Sequence, residues 1–231
     1  MTVVAIHQPQ YVPWLPYCDK ADSCDIFVYL DNVQFMRRGV QNRNQIKTPK
    51  GAAWLTVPVS AAREDKIQHV RIATGRDWQK DHILTIEHNY ARAACFELFG
   101  QGLKPLLERS WDYLVDVNIA VTDWMFAQLG VQCLRVRASE LDVTGAKDDL
   151  IISICQAVGA TVYLSGQGAK AYQDEGKFRQ HGIELRYHQY RSQPYRQCFS
   201  ETGFVPDLSA LDLILNLGDE ARAVMLAGRL P

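Results

Sequence analysis

The chain has 231 residues, 47% of them apolar, enough to bury a full core without a disulfide or metal staple. Its 25 basic and 26 acidic residues balance, which argues against a broad nucleic-acid-binding face, and no nucleic-acid partner is expected. No apolar run approaches the roughly 20 residues of a membrane span, so no membrane insertion is expected.

Val3-Val4-Ala5-Ile6 is short, apolar and rich in β-branched residues, and reads as a buried strand. Leu15 to Ser23 then reads as a helix, with Pro16 tolerated only in its first turn. Ile26-Phe27-Val28-Tyr29-Leu30 is a second strand. Strand, polar-aromatic loop, helix and strand make a βαβ unit, whose first loop faces a ligand crevice. That loop carries His7, Gln8, Tyr11 and Trp14, and Pro9 and Pro13 stiffen it. The polar, basic stretch from Asp31 to Lys50 reads as a long loop or ragged hairpin. Trp54 to Val59 is a strand placed at an edge by Pro58, and Lys66 to Ile72 a weaker one.

Residues 77 to 129 switch to helical periodicity. Helices are expected at Trp78–Tyr90, at Phe96–Arg109 with a break near Gly100–Gly102, and at Tyr113–Leu129, capped by Gly130. Alternation then returns. Leu134–Ala138, Thr161–Leu164 and Ile183–Tyr187 read as strands, separated by helices at Lys147–Val158 and Tyr172–His181. Helices at Leu208–Leu217 and Glu220–Ala227 close the chain. The expected fold is α/β, a largely parallel sheet flanked by helices and Rossmann-like in layout. A single domain over residues 1–231 is expected, with 77–130 as a helical insertion or subdomain. The six cysteines form no C-x-x-C pair, which suits a reducing compartment. The N-terminal residues lack a signal-peptide pattern, and a cytoplasmic location is expected.

Predicted strands end successively in His7 and Gln8, Asp31, Ser139, Ser165 with Gly166, and His188 with Gln189. In a parallel sheet those ends share one edge, where ligands bind. His7 is the first candidate, as a general acid/base or a donor to an anion; a ring capping a carbonyl is the structural alternative. Asp31 is a candidate to orient His7, activate an amine or hold a divalent ion, and equally reads as a turn former with Asn32. Tyr11 and Trp14 offer a stacking wall, or the lid of the core. Arg43, Asn44 and Lys47 suit phosphate, or a solvated loop.

Ser165-Gly166-Gln167-Gly168 sits between strand and helix, where backbone N–H groups can cradle an anion; a tight turn explains the glycines equally well. It lacks a P-loop lysine, and Ser165 lies in no G-x-S-x-G elbow. His69, His82, His88 and His181 show no ligand spacing, so no metal site is expected, and no cofactor is assigned. His7, Tyr11, Asp31, Arg43 and Ser165 are expected to line one pocket.

The opening A-I-H-Q-P-x-Y-x-P-W-x-x-Y-x-x-K over residues 5–20 resembles the WbqC-like family, as does D-x-F-V-x-L-D-x-V-Q-F over 25–35. Asn42-Arg43-Asn44, Trp54 to Val59, Tyr163-Leu164-Ser165-Gly166 and the segment from Phe204 to Asp212 fit the same pattern. Pro16 departs from it, standing where the family commonly has glycine. The resemblance covers almost the whole chain.

It implies a biosynthetic enzyme of bacterial surface-polysaccharide (O-antigen) or natural-product pathways, acting on a sugar or amino sugar, free or nucleotide-linked. Transfer of an acyl or aminoacyl group to an amine is the leading expectation, with an acyl-carrier protein as a candidate partner. His7 assisted by Asp31 would be the base, with Asn44 and the backbone near Ser165 as oxyanion donors. Gln34, Gly166 and Tyr172 complete the expected binding residues. Two alternatives stand beside this. One is nucleotide-dependent activation, with Arg43 and Lys47 holding phosphates; the layout is similar to nucleotidyltransferases, but their H-x-G-H pair is absent. The other is a non-catalytic accessory binding protein.

Overall fold

The computed structural model describes residues 1–230. Strand β1 (Val3–His7) leads through α1 (Leu15–Asp22) to β2 (Ile26–Tyr29). A hairpin follows, β3 (Arg43–Thr48) against β4 (Gly51–Thr56), then a short antiparallel pair, β5 (Val59–Ser60) with β6 (Arg71–Ile72). Next come α2 (Trp78–Tyr90), α3 (Lys104–Leu107) and α4 (Leu114–Gln128). The alternating part is β7 (Leu134–Arg137), α5 (Asp148–Ala157), β8 (Val162–Gly166), α6 (Glu175–Gln180) and β9 (Glu184–His188). Helices α7 (Ala210–Leu217) and α8 (Ala221–Ala227) end the chain. Among the described residues no helix is long and apolar enough to cross a membrane.

Five strands form one sheet in the order β7-β2-β1-β8-β9, every pairing parallel. Successive side chains on a strand point to opposite faces, and both faces here are apolar. Ala5, Phe27 and Tyr29 pack with α1 and α4, where Tyr17, Val121 and Phe126 are buried. Val4, Ile6 and Val28 pack on the opposite side with Ile154 and Cys155 of α5 and Phe178 of α6. The connection leaving β1 therefore covers one face and those around β8 the other. The winding reverses between these two neighbouring strands, and there the carboxyl ends must open into a crevice.

Four expected elements differ in detail. The Phe96–Arg109 helix is replaced by a π-helical turn at Phe99–Leu103 followed by the one-turn α3. Two residues cause the break. Pro105 occupies the first turn of α3, and a Cβ on Gly102 would lie 2.0 Å from Trp124 Nε1, so glycine admits the α4 indole. The Tyr172–His181 helix starts only at Glu175, because Asp174 caps it, its carboxylate accepting from the Gly176 and Lys177 amides. Pro58 divides the Trp54–Val59 strand into β4 and β5. Lys66 to Ile72 is a 3-10 turn at Ile67–His69 followed by β6.

Candidate functional site

At the ends of β1 and β8 lie two clefts, one of about 630 Å3 and one of about 490 Å3. Both are lined by His7, Lys20, Gly166 and Gly168, so they are two lobes meeting at the reversal of the sheet. The first lobe continues over Trp14, Tyr17, His188, Tyr190, Arg191 and Asp207. The second runs between Ile6, Leu30, Val33, Leu150 and Ile151, with Ser165, Gln173 and Tyr172.

His7 Nδ1 lies 3.2 Å from the Gln8 carbonyl, which can only accept, so Nδ1 carries the proton and Nε2 is bare. The ring sits edge-on to Tyr17 at 4.7 Å. Burial, helped by the Lys20 charge, pushes the His7 pKa down to about 3. His7 is therefore neutral at physiological pH and a weak base.

Lys20 is 3% exposed, carried into the interior by α1 beside Tyr17 and Ala21. Its ammonium donates to the Ile6 carbonyl at 3.0 Å, and burial lowers its pKa to about 8. The carboxylates on its own helix are engaged elsewhere. Asp19 accepts from His188 Nε2 at 2.7 Å and from Arg229, whose Nε and Nη2 lie 3.0 and 2.8 Å away. Asp22 pairs with Arg222 and Arg229. With Nε2 on the carboxylate, Nδ1 of His188 is the nitrogen left for a ligand.

Asp207 accepts from Ser192 Oγ at 2.6 Å. Both Asp207 and Lys147, which line the first and second lobes, have positive φ values, 56° and 52°. Such strain in non-glycine residues costs about 1–3 kcal/mol each and gathers at functional sites.

Of the residues expected from sequence, the crevice gathers His7, Gln8, Trp14, Ser165, Gly166 and Tyr172. Gln8 is held by the Gln41 amide at 2.7 Å. Ser165 is fully buried and donates its hydroxyl proton to Gln173 Oε1 at 2.8 Å; an amide is no base, so its hydroxyl is not activated as a nucleophile.

The others face the protein itself, which corrects the single-pocket expectation. Asp31 is fully buried and joins β2 to β7: its carboxylate accepts from Arg137 Nε at 2.8 Å and from the Ser139 amide and hydroxyl at 2.9 and 2.7 Å. The expected His7–Asp31 pair does not form. Tyr11 is a core residue, its hydroxyl 2.9 Å from His82 Nδ1 and its ring edge-on to Trp78. Arg43 stacks over Trp54 at 4.4 Å and donates to the Arg38 carbonyl. Asn44 Nδ2 donates to the Val12 carbonyl at 2.9 Å, and Lys47 is buried with its ammonium on the Gly203 carbonyl. Gln34 donates to the Arg63 carbonyl at 2.7 Å. A polar residue at a strand end is placed at the edge by the sheet; which neighbour then claims it is decided by tertiary packing.

Asp19, Lys20 and Arg229 are the residues of this arrangement that sequence patterning missed; His188 it placed at the sheet edge without a role. The one local signal was Asp19-Lys20, a charged pair embedded between the inward-facing Cys18 and Ala21 of a short helix. Among the described residues no group of three or more His, Cys, Asp or Glu side chains is arranged to hold a metal ion.

The profile of the WbqC-like protein family matches residues 8–224. The chain is 34% identical over 225 residues to the uncharacterized protein Rv1507c of Mycobacterium tuberculosis, with 96% of each chain covered. No solved structure matches it.

Proposed function

The chain belongs to the WbqC-like protein family, and from that premise we propose that it is a transferase moving an acyl or aminoacyl group onto an amine of a sugar or related small molecule. The observation that carries this reading is the two-lobed crevice with a common wall of His7, Lys20, Gly166 and Gly168. Group transfer requires two molecules to meet with their reacting atoms in contact. Adjoining lobes at the sheet reversal provide that meeting point.

The lobes differ in chemistry. Trp14 and Tyr190 give the first lobe aromatic faces, and Asp207 and His188 give it hydrogen-bonding groups, a combination suited to a sugar. The second lobe, between Ile6, Leu30, Val33, Leu150 and Ile151, suits the acyl part of an activated donor, free or on an acyl-carrier protein.

His188 is the base in this reading, in place of His7. Asp19 holds Nε2 and stabilises the imidazolium, Arg229 holds Asp19, and Nδ1 takes the amine proton. The amine nitrogen bonds to the acyl carbon as the bond to the leaving group breaks. The imidazolium returns its proton to that leaving group. His7, neutral with a bare Nε2, accepts from an amine N–H and orients it.

Calorimetric titration with an acyl thioester and an amino sugar tests the reading. Each should bind in the presence of the other, and product should form only when both are present. Turnover that consumes ATP or CTP with magnesium would favour nucleotide-dependent activation instead. Saturable binding of a sugar without any turnover would favour an accessory binding protein.

A further inference from the structure

We propose that one substrate of the crevice carries a phosphate or diphosphate, held at the junction of the lobes by Lys20, Arg191 and the bare backbone of Gly166 and Gly168. The phosphate is assigned to the acceptor, and in that respect the proposal rests on the transferase reading.

Lys20 is the first reason. It is almost wholly buried, it lines both lobes, and the carboxylates nearest in sequence, Asp19 and Asp22, are neutralised by other partners. A buried charge is costly unless something of opposite sign meets it. An ammonium has three protons to donate; Ile6 takes one, and the others remain for a ligand.

The glycines are the second. Gly166 has φ −81° and ψ 151°, an ordinary extended conformation, and Gly168 has no positive φ either. A Cβ built on either meets nothing within 4 Å. Neither turn geometry nor packing requires glycine at these positions, yet both line both lobes beside Lys20. Leaving out the side chains keeps space where a ligand can approach the main chain, as pyrophosphates do at glycine-rich turns.

Arg191 brings a second cation to the first lobe. Besides tyrosines, the other titratable groups there are His7, neutral, His188 on Asp19, and Asp207, whose carboxylate is held by Ser192; the second lobe adds Lys147 and Asp148. A phosphate presents acceptor oxygens in tetrahedral directions, so it can meet an ammonium and a guanidinium from different sides while lying against the bare main chain, where a carboxylate offers two oxygens in one plane.

The test is calorimetric titration of the full chain with inorganic pyrophosphate and, separately, with uridine diphosphate. Sub-millimolar binding is expected, weakened at least about tenfold by Lys20→Met, which removes a charge-assisted contact. Gly166→Val should weaken it similarly while melting as the wild type does, because valine suits extended backbone and its Cβ meets no protein atom. Tighter binding of the nucleotide than of pyrophosphate would support a nucleotide-linked acceptor, and equal binding a simple phosphorylated one. Failure to bind either probe, or binding that Gly166→Val leaves unchanged in a folded protein, would overturn the proposal. Acyl transfer to an unphosphorylated amino sugar by a protein with no affinity for pyrophosphate would overturn the phosphate site and leave the transferase reading standing.

Discussion

Nε2 of His188, at the carboxyl end of β9, lies 2.7 Å from Oδ2 of Asp19 in α1, across 169 residues of sequence. Arg229 closes on the same carboxylate from beyond α8. Arg229 thus fixes the carboxylate that orients the ring. The carboxylate dictates that the proton sits on Nε2, so the nitrogen with the free lone pair is Nδ1.

Asp19→Asn keeps the size of that side chain and removes the dictation, since its amide can present a donor to His188. We expect kcat to fall by about 10²–10⁴-fold with KM little changed, the pattern of a lost transition-state contribution. A rise in KM at constant kcat, measured in steady-state assays, would instead assign Asp19 to substrate binding.

Gly228 touches the wall of the first lobe from behind. A Cβ there would lie 2.4 Å from Tyr190 Cζ and 2.8 Å from the Arg191 carbonyl oxygen. Gly228→Ala must therefore displace Tyr190 and Arg191 together. Stability should drop by about 1–3 kcal/mol, the usual cost of overpacking, and affinity for a first-lobe ligand should drop at the same time. Denaturant titration and calorimetry on one preparation check both halves; unchanged affinity would mean that Tyr190 does not shape the lobe.

His82, like the more strongly shifted His7, makes the fold sensitive to acid. Its Nε2–H donates to the Thr56 carbonyl at 3.2 Å and its Nδ1 accepts from Tyr11, so the neutral ring is satisfied and a second proton is not. Burial pushes its pKa from 6.5 down to about 4. The unfolded chain then binds more protons than the folded one between those values, so stability falls as pH drops through that window. The slope is at most about 1.4 kcal/mol per pH unit for this group. Urea unfolding at pH 7 and pH 5 should show a smaller loss in His82→Gln than in the wild type. Equal losses would mean that His82 does not carry the effect.

The strands of the sheet and their parallel direction were legible because a parallel sheet leaves a simple trace, apolar β-branched runs alternating with amphipathic helices; their spatial order was not. That trace also put His7, Gly166 and His188 at one edge, where the crevice lies. It was silent on which edge residues face the crevice. Asp31 and Tyr11 have the same polar-aromatic context as His7, but β7 brings Arg137 and Ser139 to the first, and α2 brings His82 to the second. Lys20 was invisible for the opposite reason. A lysine in a helix ordinarily marks the solvated face, and only its burial and its hydrogen bond to the Ile6 carbonyl show that this one is inside. Arg229 could not have been placed beside Asp19 by any local pattern, because their contact depends on the whole fold.

The most direct measurement is the steady-state rate of acyl transfer to an amino-sugar acceptor by His188→Ala beside the wild type, with melting temperatures recorded for both. A loss of about 10²–10⁴-fold in kcat is expected, with KM within a few-fold and a folded protein. A folded His188→Ala protein that transfers the group as fast as the wild type would contradict a base at the end of β9.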